Sequence, residues 1–276
     1  MASLIKLTAP AKVNLCLHIN GRRDDGYHML ESVIVFTDKG DEITIEKSST
    51  TQLIIQGKFG NNLPNDGSNL MLKAVSLLEK NVGKSLPVTM SLTKNLPIAA
   101  GIGGGSSDAA SVLKGINRLY ELAIDDTMLR ELGLELGADV PVCLYGKPAY
   151  VSGIGEVIEP YVLPDNFYPY ILLANPGVEV ATGDIFSRMT KDNYSHMPDD
   201  LLQACNDMQA VAAHLVPEIE ALLGMLKAID GVGMVQMSGS GATCFALFRD
   251  KDKALDAAHY VTKADPAMWC QVMQVC

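Results

Sequence analysis

Four glycines fall within five positions in Gly101-Ile102-Gly103-Gly104-Gly105, and Ser106, Ser107 and Asp108 follow at once. Before them run a short strand pattern, Val88–Leu92, and the turn Pro97-Ile98-Ala99-Ala100. After them Ala109, Ala110, Val112, Leu113, Ile116 and Leu119 recur at helical spacing. Strand, glycine-rich loop and helix start make a cradle for phosphate. Glycine lets the backbone approach an anion and take positive φ, first-turn N–H groups point at it, and the helix dipole favours its charge. Ser106 and Ser107 add hydroxyl donors or cap the helix. A plain capped turn needs one or two glycines rather than four. The loop is not a Walker A loop, because no lysine follows it, and Ser106 stands where a dinucleotide fingerprint needs its third glycine. The protein-kinase HRD and DFG motifs are absent.

Gly137-Ala138-Asp139-Val140-Pro141 is the second candidate. Gly137 is expected to stop a helix in the left-handed region, and Pro141 to push Val140 into extended backbone. Asp139 would then stand at a break in the chain, where a carboxylate can take the proton of a hydroxyl as its oxygen attacks phosphorus. A turn or capping aspartate is the plainer alternative. Lys12, in Pro10-Ala11-Lys12-Val13-Asn14, interrupts an apolar strand. Burying an ammonium is costly unless it is paired, so Lys12 either faces a cleft, pairs with Asp139 and neutralises phosphate charge, or lies on a solvent edge. Met237-Ser238-Gly239-Ser240-Gly241-Ala242-Thr243 is a second glycine–serine loop, able to approach the first. Tyr27-His28, after the turn Asp24-Asp25-Gly26, supplies a stacking ring and a planar donor–acceptor. His18, His196, His214 and His259 stand singly and read as ordinary. No HExxH, GxSxG elbow or EF-hand loop occurs.

The elements that must position these residues follow from periodicity. Strands are expected at Ala11–Ile19, Met29–Phe36, Glu42–Glu46 and Gln52–Gln56, with breaks at Asn20-Gly21 and Asp24-Asp25-Gly26. A helix from Asn69 is capped by Ser68 or Asn69 and stopped near Gly83. Another opens after Asp125-Asp126-Thr127 and ends at Gly137, and short strands at Ala149–Val151 and Gly155–Ile158 follow. Pro160, Pro164 and Pro169 mark a connection. Beyond it the pattern is strand (Tyr170–Ala174), helices (Thr182 to Leu226), strands at Gly233–Met237 and Thr243–Phe248, helix (Asp250 to Lys263) and strand (Trp269–Val275). The expected fold is α+β in two domains, residues 1–160 and 161–276.

Apolar residues make up 48% of the 276 and charged ones 20%, a composition able to fold around a core. A net charge of −10 argues against nonspecific binding to nucleic acid or acidic membranes, so a phosphate site must rely on a few lysines and backbone N–H groups. The six cysteines are scattered, without a CxxC, and read as reduced structural thiols. Met1 to Ala11 has no apolar signal core and no run of about 18 apolar residues occurs, so a soluble cytoplasmic protein is expected.

Together Pro10–Leu15, Pro97–Asp108 and Met237–Thr243 resemble, in order, the three motifs of the GHMP kinase superfamily, across essentially the whole chain. Pro10–Leu17, Asp25–His28, Gly103–Asp108 and Gly137–Pro141 are most similar to the branch that acts on a cytidine diphosphate-linked methylerythritol. The resemblance implies an N-terminal domain like domain 2 of ribosomal protein S5 and a ferredoxin-like C-terminal domain. It implies ATP-dependent phosphorylation of that substrate's 2-hydroxyl in non-mevalonate isoprenoid synthesis, with Mg²⁺ whose protein ligands no spacing selects. Asp139 would be the base and Lys12 its partner. Pro97, Gly101, Ile102, Gly103, Gly104, Gly105, Ser106 and Ser107 would bind ATP, with Asn69 and Lys94 on the adenosine side. Asn14 would lie near the erythritol, Tyr27 and Phe186 would sandwich the cytosine, His28 would read its polar edge, and Ile154 and Thr182 would border it. Ala99-Ala100 stand where that pattern often has glycine. The partner is a small molecule, without nucleic acid or membrane, and the protein a monomer or weak homodimer. A mevalonate-pathway or homoserine kinase, or a silent nucleotide-binding scaffold, is the alternative.

Overall fold

Val88, Met90 and Leu92 are buried and the residues between them only partly so, the period-2 mark of a strand with one face on a core. The same alternation and its helical counterpart set out the whole chain. In the computed structural model, which describes residues 4–276, the elements begin with β1 (Leu4–Asn14), β2 (His18–Arg22), β3 (His28–Lys47) and β4 (Gln52–Gln56). Then come α1 (Leu70–Val82), β5 (Val88–Thr93), α2 (Gly104–Leu119), α3 (Asp126–Leu136), α4 (Val140–Tyr145), β6 (Ala149–Gly153) and β7 (Val157–Pro160). The last are β8 (Tyr170–Asn175), α5 (Thr182–Arg188), α6 (Gln209–Leu215), α7 (Pro217–Lys227), β9 (Val235–Met237), β10 (Cys244–Phe248), α8 (Lys251–Ala264) and β11 (Trp269–Gln274). Met1–Ser3, part of the leading stretch read above, lie outside the described residues.

The chain divides into two units, each drawn from several segments. The first holds the residues up to Ala11 with 39–98 and 103–146; the second holds 12–38, 99–102 and 147–276. In the first, Glu42–Lys47 of β3 pair antiparallel with β5, and β4 pairs parallel with β5. Parallel neighbours need a crossover, which α1 supplies. Asn69 caps α1 by accepting from Met71 N, and Gly83 closes it in the left-handed region. Helix α2 lies close on the strands: a Cβ on Gly115 would come within 2.6 Å of Ile45 and 2.8 Å of Leu7.

In the second unit, Leu30–Ile34 of β3 pair with β6, which pairs with β7. A separate antiparallel sheet has the order β11-β8-β10-β9. Renumbered within this βαββαβ run the order is 4-1-3-2, the ferredoxin-like arrangement, with α7 and α8 packed on it. Its core includes Leu172, Ala174, Leu222, Leu226, Cys244, Phe248 and Val261. All six cysteines are free; Cys16, Cys143 and Cys244 are buried, and burial pushes the Cys16 and Cys244 thiols up to about 12.

Several expected boundaries move, each for a reason outside the local pattern. The Ala11–Ile19 strand is two strands, because Leu15 N bonds Val33 O and Leu17 N bonds Cys205 O, drawing the chain off the ladder between Asn14 and His18. Met29–Phe36 and Glu42–Glu46 are one strand of 20 residues. Gly40 between them serves close approach, since a Cβ there would run into the backbone of Ala9 and Pro10. Asn20-Gly21 is a bulge inside β2 and not a break. Gly137 has φ 162°, which is extended backbone and not the left-handed stop. Val140 is helical: Pro141 sits in the first turn of α4, where its missing N–H costs nothing.

Candidate active site

The glycine loop divides its tasks residue by residue. Gly101 and Gly103 have left-handed backbone, φ 73° and 62°, and Gly103 occupies the position that caps α2. A Cβ on Gly101 would run into Ser238 O and come within 2.7 Å of Gly241 N. On Gly104 it would come 3.2 Å from Lys94 Nζ, whereas on Gly105 it would touch Leu70 at 3.7 Å, an ordinary contact. Glycine is thus demanded by backbone at 101 and 103 and by packing at 104. At exposed Gly105 the protein itself demands nothing, which leaves bare backbone facing outward. No side chain caps α2 and its first turn has no acidic residue, so no side chain of that turn takes up its N–H groups. Ser107 is buried and Ser106 half-buried. Ala99 takes φ 51° without being glycine, at the place where the related pattern often has one.

Lys94 braces the helix start from below. Its ammonium lies 2.6 Å from Asp41 Oδ2 and 2.5 Å from Asp108 Oδ2, and all three side chains are buried. Asp41 Oδ1 accepts from Asn95 N at 2.6 Å and Leu96 N at 2.9 Å, which ties β3 to the segment leading into the loop. Burial raises Asp108 to about 7; Lys94 opposes that rise and the charge of Asp41 adds to it. Burial works to lower Lys94, but Asp108 and Asp41 outweigh it and hold the ammonium above its ordinary value. Asp108 Oδ1 is buried without a hydrogen-bond partner. Asp41 was not anticipated; an aspartate before an apolar strand half carries no signal that a lysine some fifty positions away will meet it.

Lys12 is 4% exposed, so the solvent-edge alternative falls. Its Nζ donates to Asn14 Oδ1 at 3.0 Å and its backbone N to Ile102 O at 2.9 Å. Asn14 Nδ2 donates to Ser32 Oγ at 2.8 Å, and Asn14 N to Ser238 Oγ at 3.1 Å. The second glycine–serine loop does approach the first, at Gly101. Asp139 is half-buried at the start of α4, with its carbonyl accepting from Cys143 N.

A cavity of about 560 Å³ is lined by Arg22, Tyr27, His28, Ile154 and Phe186 among others. His28 stacks on Phe186, centroids 4.6 Å apart at 14°, with Tyr194 edge-on to His28 at 6.0 Å. Burial, helped by Arg22, lowers the His28 pKa, leaving a neutral ring that can both donate and accept. Tyr27 is 62% exposed at the rim. Thr182 lies elsewhere, its hydroxyl donating to Ser240 Oγ at 2.9 Å. Asn69 is turned to its own segment, Nδ2 donating to Pro64 O.

His18 proves less solitary than its sequence context implies. Ser195 Oγ lies 2.6 Å from His18 Nδ1 and 2.7 Å from Asp207 Oδ1, with Cys205 alongside. His18, Cys205 and Asp207 have metal-ligating atoms, but the serine hydroxyl fills the space between His18 and Asp207. This is a hydrogen-bonded brace.

For a magnesium ion the donor set discriminates. Mg²⁺ needs one or two protein oxygens beside phosphate and water. The Asp41–Asp108 pair does not fit it, since Lys94 already stands between the two carboxylates. The half-buried Ser106 hydroxyl at the helix start does fit.

Residues 69–147 match the family of GHMP kinases N terminal domains and 191–267 that of GHMP kinases C terminal domains. The chain belongs to the GHMP kinases. It is 42% identical to the 4-diphosphocytidyl-2-C-methyl-D-erythritol kinase of Brucella melitensis biotype 1, over 94% of this chain and 91% of that one. It is 40% identical to the enzyme of that name from a Chelativorans species, over 98% and 96%. A solved 4-(cytidine 5'-diphospho)-2C-methyl-D-erythritol kinase superposes with a TM-score of 0.82 at 32% identity, covering 98% of this GHMP kinase and 99% of that chain. The homoserine kinase of Cytophaga hutchinsonii shares the fold, with a TM-score of 0.73 at 20% identity. Among the described residues no helix is long and apolar enough to cross a membrane.

Proposed function

We propose that this GHMP kinase uses ATP to phosphorylate the 2-hydroxyl of 4-diphosphocytidyl-2-C-methyl-D-erythritol, a step of non-mevalonate isoprenoid precursor synthesis. The observation that carries the choice of substrate is identity of 40–42% over nearly the full length of relatives bearing that substrate's name. The aromatic cavity supports it, because a cytosine needs flat walls and a neutral donor–acceptor edge, which mevalonate and homoserine do not.

The reaction is direct in-line transfer without a phosphoenzyme. The backbone of Gly101, Ile102, Gly103, Gly104 and Gly105, with Ser106 and Ser107, holds the ATP phosphates, and Pro97 ends the strand side of the cradle. Asn69 and Lys94 belong to the adenosine side; their side chains are spent on Pro64 and on Asp41 and Asp108, so they contribute by fixing the walls. Ser106 would hold Mg²⁺ beside the triphosphate, and the ion would supply positive charge against the transferring phosphoryl group. Asp139 takes the hydroxyl proton, and the Lys12 ammonium, oriented by Asn14, balances phosphate charge. Asn14 borders the erythritol. Tyr27 and Phe186 sandwich the cytosine, which requires His28 to give up its present stacking on Phe186 and turn to the polar edge. Ile154 closes that end, and Thr182, bonded to Ser240, borders the substrate from the side of the second glycine–serine loop. The protein works in the cytoplasm as a monomer or weak homodimer, and its two family matches fall on either side of a boundary near residue 160.

ATP consumption measured with the cytidyl substrate, mevalonate and homoserine side by side tests the reading. Turnover with the first alone is expected; preference for either other, or indifference to all three, sinks it. Asp139→Asn should lower kcat about a hundredfold or more while ATP affinity stays nearly unchanged. Full activity in that variant removes the base.

A further inference from the structure

Asn206 is 5% exposed and spends its amide on one loop, Nδ2 lying 2.8 Å from Met237 O and 2.8 Å from Gly239 O. Its Oδ1 accepts from Met208 N at 3.0 Å, just before α6. The segment is gripped from its other side as well: Leu17 N donates to Cys205 O and Asp207 N to Leu17 O, both at 2.9 Å. Gln209 Oε1 adds a bond from Met237 N at 2.9 Å.

The loop held in this way is what Gly101 rests on. Ser238 Oγ donates to Gly101 O at 3.0 Å, and Thr243 N to Ala100 O at 3.2 Å. A trans peptide carries its C=O and N–H on opposite edges, so tying Gly101 O to Ser238 aims the Ile102 N–H the other way. The bond from Lys12 N to Ile102 O does the same for the next peptide.

We propose that Asn206 is a positioning residue for the nucleotide: by fixing Met237 and Gly239 it seats Ser238 against Gly101 and so sets the direction of the phosphate loop's N–H groups. This rests on the functional reading above. Asn206 touches no reacting atom, and its effect runs through two other backbone segments.

Asn206→Asp keeps the shape and the acceptor for Met208 N but removes both donors. The KM for ATP is expected to rise about tenfold or more, with the KM for the cytidyl substrate within about twofold of the original. Ser238→Ala cuts the link to Gly101, so adding Asn206→Asp to it should raise the ATP KM far less than in the intact background. Asn206→Ser, which retains one donor, should move the same way by less and serves if the aspartate variant does not fold. An unchanged ATP KM with lowered kcat, an equal rise in both KM values, or full additivity with Ser238→Ala overturns the proposal. If the original protein neither turns over the cytidyl substrate nor binds a non-hydrolysable ATP analogue, the functional reading fails and the proposal falls with it. A working original with an unmoved ATP KM in the variants sinks the proposal alone.

Discussion

The loop from Gly101 to Ser107 opens a helix of 16 residues, whereas Ser238–Gly241 joins two strands of one sheet. Both are built of glycine and serine, yet their hydrogen bonds run differently. In the second loop Ser238 N bonds Thr243 O, Gly241 N bonds Ser238 O, and the Ser238 hydroxyl both receives from Asn14 N and donates to Gly101 O. The polar groups of Ser238 are all spent inside the protein. The first loop is gripped by its carbonyls, at Ala100, Gly101 and Ile102, while Gly105 lies bare at an uncapped helix start. Glycine in one loop permits close packing of protein on protein; in the other it also leaves room for something that is not protein.

Three substitutions press on that contrast. Gly101→Ala attacks the point where the loops meet and should cost most, roughly 2–4 kcal/mol of unfolding free energy, since it forces a side chain into left-handed backbone and into Ser238 and Gly241. Urea unfolding measures it; a change below about 0.5 kcal/mol would mean that the loops part readily. Gly105→Ala separates the two uses of glycine. The fold should be unharmed or slightly stabilised, by up to about 1 kcal/mol from helix propensity, while ATP affinity falls several-fold. Unaltered affinity in a stable variant would show that no ligand approaches that backbone.

The smallest effect is a slope with pH. Folded Asp108 titrates near 7 against an ordinary value of 3.8, so the native state holds a proton that the unfolded chain has released. That contribution to stability is complete below the ordinary value and is lost as pH rises through about 7. Unfolding free energy should therefore decline between about pH 4 and 7 and level off above that, and Asp108→Asn, which cannot ionise, should flatten the decline. An identical slope in the variant would remove Asp108 as its source.

Local chemistry made part of this readable in advance. The helix from Asn69 to Gly83 is bounded as its capping residues require, and the glycine loop announced itself because four glycines exceed what a turn needs. What escaped depended on partners far along the chain. Nothing near Leu15 or Leu17 tells of Val33 and Cys205, and nothing near Gly40 tells that Ala9 will press on it. Pro141 reads either way in the sequence, because a proline before a helix and one inside its first turn look alike until the preceding backbone is known. Lys12 and Asp139 were legible as residue types out of place, but Asp41 and Asn206 were not, since an acid or amide at an element's edge usually serves only its own turn.

The buried cysteines have a practical consequence. A thiol held near 12 and shut away from water reacts with an alkylating reagent only when the protein around it opens. Cys16 lies beside the Asn14–Ser32 bond, and Cys244 lies in the strand that follows the second glycine loop. The rate at which each is modified, with exposed Cys205 and Cys276 as internal references, is thus a native clock for local opening on either side of Ser238. Slowing of both clocks by a bound nucleotide analogue would report how far the ligand's grip spreads into the protein.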